Sequence, residues 1–298
     1  MPQWPHDPAS DLTPLVCRID TDHGGQTPLR LRISRPTHPD LHGAGVHMFS
    51  GLPHKNQALA VRWLPDCSVG LLACCGAATR VVVVGARARA LMTSLPSCRF
   101  IVGAFIHPGF CQSVLGQAGD VLFEQAQALE ALWDGPRVTR LVHELSQHQD
   151  TDGALMALEQ VLAEGLTRET ACSLVTDACR LIEADNGQTA LPAIAARLGC
   201  SERHLRREFR HHTGHSVKGI ARCLRLRAVL SAIAELEHEA LGWRDLAAEY
   251  GFSDQSHLIA EFRQMLGITP SALAAALKLG ATIQSGMLIT AETNQQTA

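Results

Sequence analysis

Four arginines in the last third of the chain stand at i, i+3, i+4 and i+7: Arg203, Arg206, Arg207 and Arg210. That spacing lines them up on one face if the segment is helical. A guanidinium stays charged and presents a planar fork of donors that matches guanine O6 and N7 and also clamps phosphate. Two chemistries follow, base reading and backbone grip, beside the ordinary alternative of a solvated charged face. About fifty residues on, Gln255, Ser256, His257 and Arg263 form a second polar set. Gln suits adenine, Ser and His can hydrogen-bond base edges, and the neighbouring Ile259 and Ala260 can touch a thymine methyl. This second set carries far less charge and is expected to read little sequence.

The elements that must position these side chains are written twice. The first copy is IAARLGCSERHLRREFRHHTGHS, Ile194–Ser216, and the second ends in GFSDQSHLIAEFRQMLGITP, Gly251–Pro270. Ile194-Ala195 matches Leu246-Ala247, Gly199 matches Gly251, Leu205 matches Leu258, Phe209 matches Phe262, and Gly214 matches Gly267. An internal repeat of this length outranks any single residue as a statement about architecture. In each copy a small residue sits where two helices touch, a glycine follows where the turn needs positive φ, and Ser201 or Asp254 caps the next helix. Such a unit is a helix-turn-helix, and it puts both polar sets on second, recognition-type helices.

Two helix-turn-helix units in tandem resemble the AraC/XylS family of transcription regulators over roughly Cys172 to Leu277. The resemblance implies that Arg203, Arg206 and Arg207 occupy base-reading positions, and that Ala260 stands where the family often has arginine. It also implies promoter DNA as partner, an effector-responsive N-terminal domain with a small-molecule effector, RNA polymerase contact and a homodimer. The N-terminal part looks similar to a sensory domain found before some AraC-type pairs. RWLPD at Arg62–Asp66, VVG at Val83–Gly85, FIHPG at Phe105–Gly109 and LEALWDG at Leu129–Gly135 carry that likeness. Cys67 and Gly70 depart from it.

The expected fold class is α+β: a β-rich N-terminal barrel or sandwich followed by an all-α double helix-turn-helix. Short β-type runs are expected at Leu29–Ile33, Val46–Phe49, Leu59–Trp63, Val69–Cys74, Arg80–Val84 and Arg99–Ile106, separated by Gly/Pro/Asn/Asp clusters. Helical patterning follows at Phe110–Leu115, Val121–Leu132 and, with breaks near 150–153 and 165–167, from Arg137 to about Ala184. The expected division is 1–135 sensory domain, 136–170 helical connector and candidate dimer surface, 171–280 DNA-binding domain, and 281–298 disordered tail. Residues 1–27 read as an arm without signal-peptide character, and no apolar run is long enough for a membrane helix. A cytoplasmic protein with reduced thiols is expected.

The net charge of −3 hides a split. Arg197–Arg227 holds nine basic residues and two Glu, whereas Glu235–Glu261 holds seven acids and one Arg. The basic unit should grip a duplex and the acidic one should be repelled, so a dimer bringing two basic units to one promoter is expected. No catalytic, cofactor or metal residue stands out. There is no G-x-S-x-G elbow, and Cys74-Cys75 lack a second pair at zinc spacing. Cys200 reads as a small hydrophobe ahead of the Ser201 cap. His42, His47 and His54 lie in loops, and His211-His212 extend the basic helix toward phosphate. The competing class is a DNA-binding module fused to a cysteine-dependent alkyl-transfer or metal-sensing domain.

Overall fold

The structure, a computed structural model, describes residues 29–53, 59–166, 172–235, 242–278, 282–284 and 287–291. The expected arm at 1–27 and His54 lie outside them. The N-terminal half contains β1 (Leu29–Ser34), α1 (Pro39–Gly43), β2 (Val46–Pro53), β3 (Leu59–Trp63), β4 (Val69–Cys75), β5 (Arg80–Val84), β6 (Leu91–Leu95) and β7 (Phe100–Ile106). After β7 come α2 (Cys111–Leu115), α3 (Gly119–Leu122), β8 (Ala126–Ala128), α4 (Gly135–Gln147) and α5 (Thr151–Glu164). Six strands form one antiparallel sheet in the order β1-β2-β7-β4-β5-β8. Its central strands β4 and β7 are buried from end to end.

Period-two alternation explains why both faces are apolar. Val69, Leu71, Ala73 and Cys75 of β4, with Phe100, Val102, Ala104 and Ile106 of β7, face a helical layer that includes Leu141, Leu145, Leu158 and Val161. Leu72, Cys74, Ile101 and Phe105 face the other way, onto Val61, Trp63 and Leu95 of a second sheet. Gly103 interrupts β7 because the Phe49 ring occupies the space its Cβ would need. Phe49 and Phe105, neighbours in the first sheet, meet at 4.6 Å on the face toward the second, and the cavity lined by Trp63, Asp66, Arg87 and Phe105 holds only about 20 Å³. That is room for about one water.

Four expectations need correction. Strand β6 was missed, because Leu91–Leu95 is short and half-exposed. Val121–Leu132 is not one helix: it splits into α3, β8 and a single 3₁₀ turn at Leu129–Ala131. There β8 pairs with β5, so a sheet contact overrides the helical spacing of Leu122, Ala126 and Leu129. The helices at 136–170, expected as a connector, pack on the first sheet and complete its core. Finally, the tail expected to be disordered contains β9 (Thr282–Gln284) and β10 (Met287–Ala291). Strand β10 pairs with β3, Ile289 opposite Val61, so the second sheet runs β6-β3-β10-β9. Pairing covers an edge of β3 that would otherwise present free amides and carbonyls.

The C-terminal half is helical: α6 (Ser173–Glu183), α7 (Leu191–Arg197), α8 (Glu202–Thr213), α9 (Val217–Glu235), α10 (Trp243–Glu249), α11 (Gln255–Leu266) and α12 (Pro270–Lys278). The two repeats are α7–α8 and α10–α11, joined by α9. Gly199 and Gly251 take φ of +64° and +73° in the two turns, a conformation that would strain any side chain with a Cβ. One buried cluster runs through both repeats, with Leu205, Phe209, Leu258 and Phe262 all fully buried. Together the halves make the α+β arrangement read from the sequence. Among the described residues, no helix is long and apolar enough to cross a membrane.

His107 closes β7 and has a measurable consequence. Its Nδ1 accepts from Gly109 N–H at 3.2 Å, and burial, reinforced by the Arg180 charge, pushes its pKa down to about 3. The unfolded chain takes up that proton near 6.5 and the folded one only near 3. Stability from this residue is therefore complete above about pH 6.5 and lost as pH falls toward 3. His107→Asn, which keeps an acceptor and cannot titrate, should flatten the decline of Tm between pH 6.5 and 4 in a calorimetric pH series. An unchanged slope would remove His107 as the cause.

Candidate nucleic-acid interface

The first recognition helix begins where the sequence says it should. Ser201 Oγ accepts from the His204 amide at 3.2 Å, which satisfies one of the free donors of the first turn. Leu205 and Phe209 bury the inner face, and Arg203, Arg206, Arg207 and Arg210 are all exposed on the outer one. Two of the four are held by glutamates of the same helix: Arg206 meets Glu202 at 2.8 Å and Arg207 meets Glu208 at 2.9 Å. The hydrogen bond from Arg207 holds the Glu208 carboxyl below its usual range. Such exposed pairs are worth little, typically under about 1 kcal/mol, so an incoming phosphate or base edge can displace them.

The second recognition helix is capped in the same way, with Asp254 Oδ1 accepting from His257 N–H at 2.8 Å. That hydrogen bond draws the Asp254 carboxyl below its usual range. Gln255 and Ser256 are exposed in the first turn, and Arg263 is exposed two turns on. His257 is placed differently. Its Nδ1 lies 3.2 Å from Ser253 Oγ, its Nε2 lies 3.6 Å from Glu261 and its ring edge meets Phe252. These contacts fix the half-exposed His257 ring against its own first turn.

Tertiary contacts also redraw the charge split. Arg222 pairs with Glu261 at 2.9 Å, Arg225 donates to the Gly251 carbonyl at 3.2 Å, and Arg227 faces Asp66 at 3.5 Å. These three bind α9 to its surroundings, leaving six of the nine basic residues against two Glu on the first unit. The first unit keeps its basic excess outside those three contacts. His211 and His212 also pair with acids: His211 meets Asp120 at 3.1 Å and His212 meets Glu208 at 3.8 Å.

Residues that sequence reasoning did not single out join the N-terminal domain to both recognition helices. Gly119 of α3 packs so closely on α8 that a Cβ would strike the His212 backbone, and Phe123 meets the His215 ring edge-on at 4.7 Å. His215 Nε2 lies 3.1 Å from the Asp66 carbonyl. At the end of α11, the Ala90 amide donates to the Met265 carbonyl at 2.7 Å, and Arg62 donates to that of Leu266. Arg62 and Asp66 belong to the RWLPD run, so that motif was visible, but its partners about 150 to 200 residues away were not.

Residues 194–276 match the family described as a helix-turn-helix domain. The HTH-type transcriptional activator RhaR of Escherichia coli (strain K12) is 35% identical over 82 residues, 28% of either chain. The RhaR of Shigella flexneri serotype 5b (strain 8401) matches equally. The chain thus spans 28% of the length of the curated relatives it matches. Among solved structures, the DNA-binding domain of AdpA in complex with a target DNA aligns over 35% of this chain and 93% of its own, at 24% identity and a TM-score of 0.32. ToxT from Vibrio cholerae aligns over 84% of this chain and 98% of its own, at 11% identity and a TM-score of 0.40.

The docking of α3 on α8 can be tested directly. Gly119→Val should force the two backbones apart and cost about 1–3 kcal/mol, the usual range for overpacking. Circular dichroism should be unchanged, while limited proteolysis should cut faster between the two halves. A variant as protease-resistant as wild type would show that this contact does not hold them together.

Proposed function

We propose that residues 194–276 are an AraC-type tandem helix-turn-helix domain and that the whole protein is a sequence-specific DNA-binding transcription regulator. The observation that carries this reading is the exposed stripe Arg203, Arg206, Arg207 and Arg210 on a capped helix behind the Gly199 turn. Arg203, Arg206 and Arg207 are assigned to base edges and Arg210 to phosphate. Gln255, Ser256 and Arg263 supply the weaker contacts of the second helix, with His257 a positioning residue for its first turn. The partner is double-stranded promoter DNA, bound by a cytoplasmic homodimer that contacts RNA polymerase, and the chain carries no enzyme activity.

In this reading residues 29–164, with β9 and β10, form the sensory domain, and 172–278 form the DNA-binding domain. The effector acts at the junction between them. Among the described residues, the cavity at Trp63 and Phe105 is too small for an effector, and the contacts to α8, α9 and α11 are where a signal reaches the reading helices. A cysteine-dependent alkyl transfer is the weaker alternative, because the thiols are mostly buried. A metal-sensing role is favoured by the buried cluster Cys67, His215 and Cys223.

Arg206→Ala and Arg207→Ala should each weaken specific binding by about 1–3 kcal/mol and relax the preference at one base pair. Arg210→Ala should weaken all sequences alike and reduce the salt slope of log K by about one unit. Footprinting and salt-dependent gel shifts on genomic operator fragments read both effects. A double Arg206/Arg207 alanine variant that protects the same sites with wild-type affinity would refute the assignment.

A further inference from the structure

Three buried side chains of ligand type meet where the two halves of the molecule touch. Cys67 comes from the β3–β4 loop, His215 from the turn after α8, and Cys223 from the second turn of α9. Their sulfur and ring-nitrogen atoms all lie within 4.8 Å of one another. None of the three is more than 1% exposed. Around a single Zn²⁺, with bonds of about 2.0–2.3 Å, ligand atoms stand roughly 3.4–3.8 Å apart. A closing movement of about an ångström would bring the three into that geometry.

We propose that Cys67, His215 and Cys223 form a binding site for a thiophilic metal ion, Zn²⁺ or Cu⁺, that fastens the N-terminal domain to the first recognition helix. Two thiolates and an imidazole are the soft donor set that such ions select. The surrounding groups aim the ligands, as outer-shell partners do in metal sites. Asp66 Oδ1 accepts from the amides of Cys67 and Ser68 at 2.6 and 3.2 Å and so fixes the loop that carries Cys67. The Asp66 carbonyl accepts from His215 Nε2–H at 3.1 Å, an outer-shell bond that leaves Nδ1 for a metal, whereas the Arg87 carbonyl accepts from the Cys223 thiol at 3.9 Å, a contact given up on loading.

Loading is ligand exchange without redox chemistry. Each thiol that binds gives its proton to solvent, and the ion replaces both. With Zn²⁺ the two thiolates cancel the metal charge, which suits a buried site. Three protein ligands leave the fourth tetrahedral position open, whereas they complete a trigonal Cu⁺ site. His215 follows the turn that ends α8, so occupancy bears on the helix that holds Arg203–Arg210. The regulatory meaning rests on the DNA-binding reading above; the site itself does not.

The test uses the full chain, purified with a non-thiol reductant so that a Cys67–Cys223 disulfide cannot form, and stripped of metal by chelation. Zn²⁺ and Cu⁺ are each titrated against a competing chromophoric chelator, and Co²⁺ serves as the spectroscopic probe. One equivalent of Zn²⁺ or Cu⁺ should bind, and Co²⁺ should show a thiolate charge-transfer band. Cys67→Ser and Cys223→Ser should each lower affinity at least 100-fold, while Cys200→Ser, outside the cluster, should not. A thousandfold excess over Kd should raise Tm by roughly 5–10 °C. The Co²⁺ spectrum is read on wild type, so a variant that fails to fold leaves the test intact. Absence of binding tighter than about 1 μM, or binding indifferent to both cysteines, overturns the site. Gel shifts with and without metal then separate the two readings. Operator affinity should change at least threefold on loading in wild type and not in Cys67→Ser, and equal affinity would overturn the coupling. Metal bound without any DNA binding would refute the regulator reading and leave the site; DNA bound without metal would do the reverse.

Discussion

A single buried carboxyl group, that of Asp66, organises the junction between the two halves. Its backbone exchanges two hydrogen bonds with Arg87 at 2.8 and 3.1 Å. Its side chain accepts from two amides of its own loop and faces Arg227 of α9, and its carbonyl faces His215. Burial raises its pKa, and the Arg227 charge and the two amides work against that shift. Removing one partner of a buried pair typically costs about 3–5 kcal/mol, because the other charge is left uncompensated. Here that cost would fall on the contact that sets how the β-domain sits on the helices.

From this point the geometry spreads outward in three directions. Along α9, Arg222 and Arg225 reach the second repeat, so the long helix fixes one helix-turn-helix against the other with charge-assisted bonds. Toward α8, Gly119, Asp120 and Phe123 seat the C-terminal end of the arginine-bearing helix. Toward α11, Ala90 and Arg62 take up the last carbonyls, groups that a helix leaves unpaired at its end. The N-terminal domain therefore holds both reading helices by their C-terminal ends and leaves the Arg203–Arg210 face exposed. On the proposed DNA-binding reading, a shift in that domain would change the spacing of α8 and α11, and spacing decides whether both reach the groove of one duplex.

The sheet that would carry such a shift is packed on both faces. Strands β4 and β7 are buried on both faces, between the α4–α5 layer and the β3–β6 side. Close-packed interiors rearrange between discrete packings more readily than they deform gradually. Asp66 and Cys67 lie in the loop that enters β4, so the rigid centre of the sheet leads straight into the junction.

The sequence by itself determined the repeats, their turns and their caps, because these depend on local rules. Positive φ at Gly199 and Gly251, capping by Ser201 and Asp254, and burial of Leu205, Phe209, Leu258 and Phe262 follow from residues within a few positions of one another. The arginine stripe was legible for the same reason: helical periodicity alone puts it on one face. Most strands were legible too, where β-branched runs lay between turn residues. What only the tertiary structure decided depends on partners distant in the chain. Helical spacing at 121–132 gave way to pairing of β8 with β5, and the polar-looking tail supplied β10 because β3, more than 200 residues earlier, offers it an edge. Windowed charge assigned Arg222, Arg225 and Arg227 to the DNA side, whereas contacts turn them toward Glu261, Gly251 and Asp66. Cys67, His215 and Cys223 share no spacing that local reading can detect, and they meet because Asp66 draws one loop of the β-domain onto the helices.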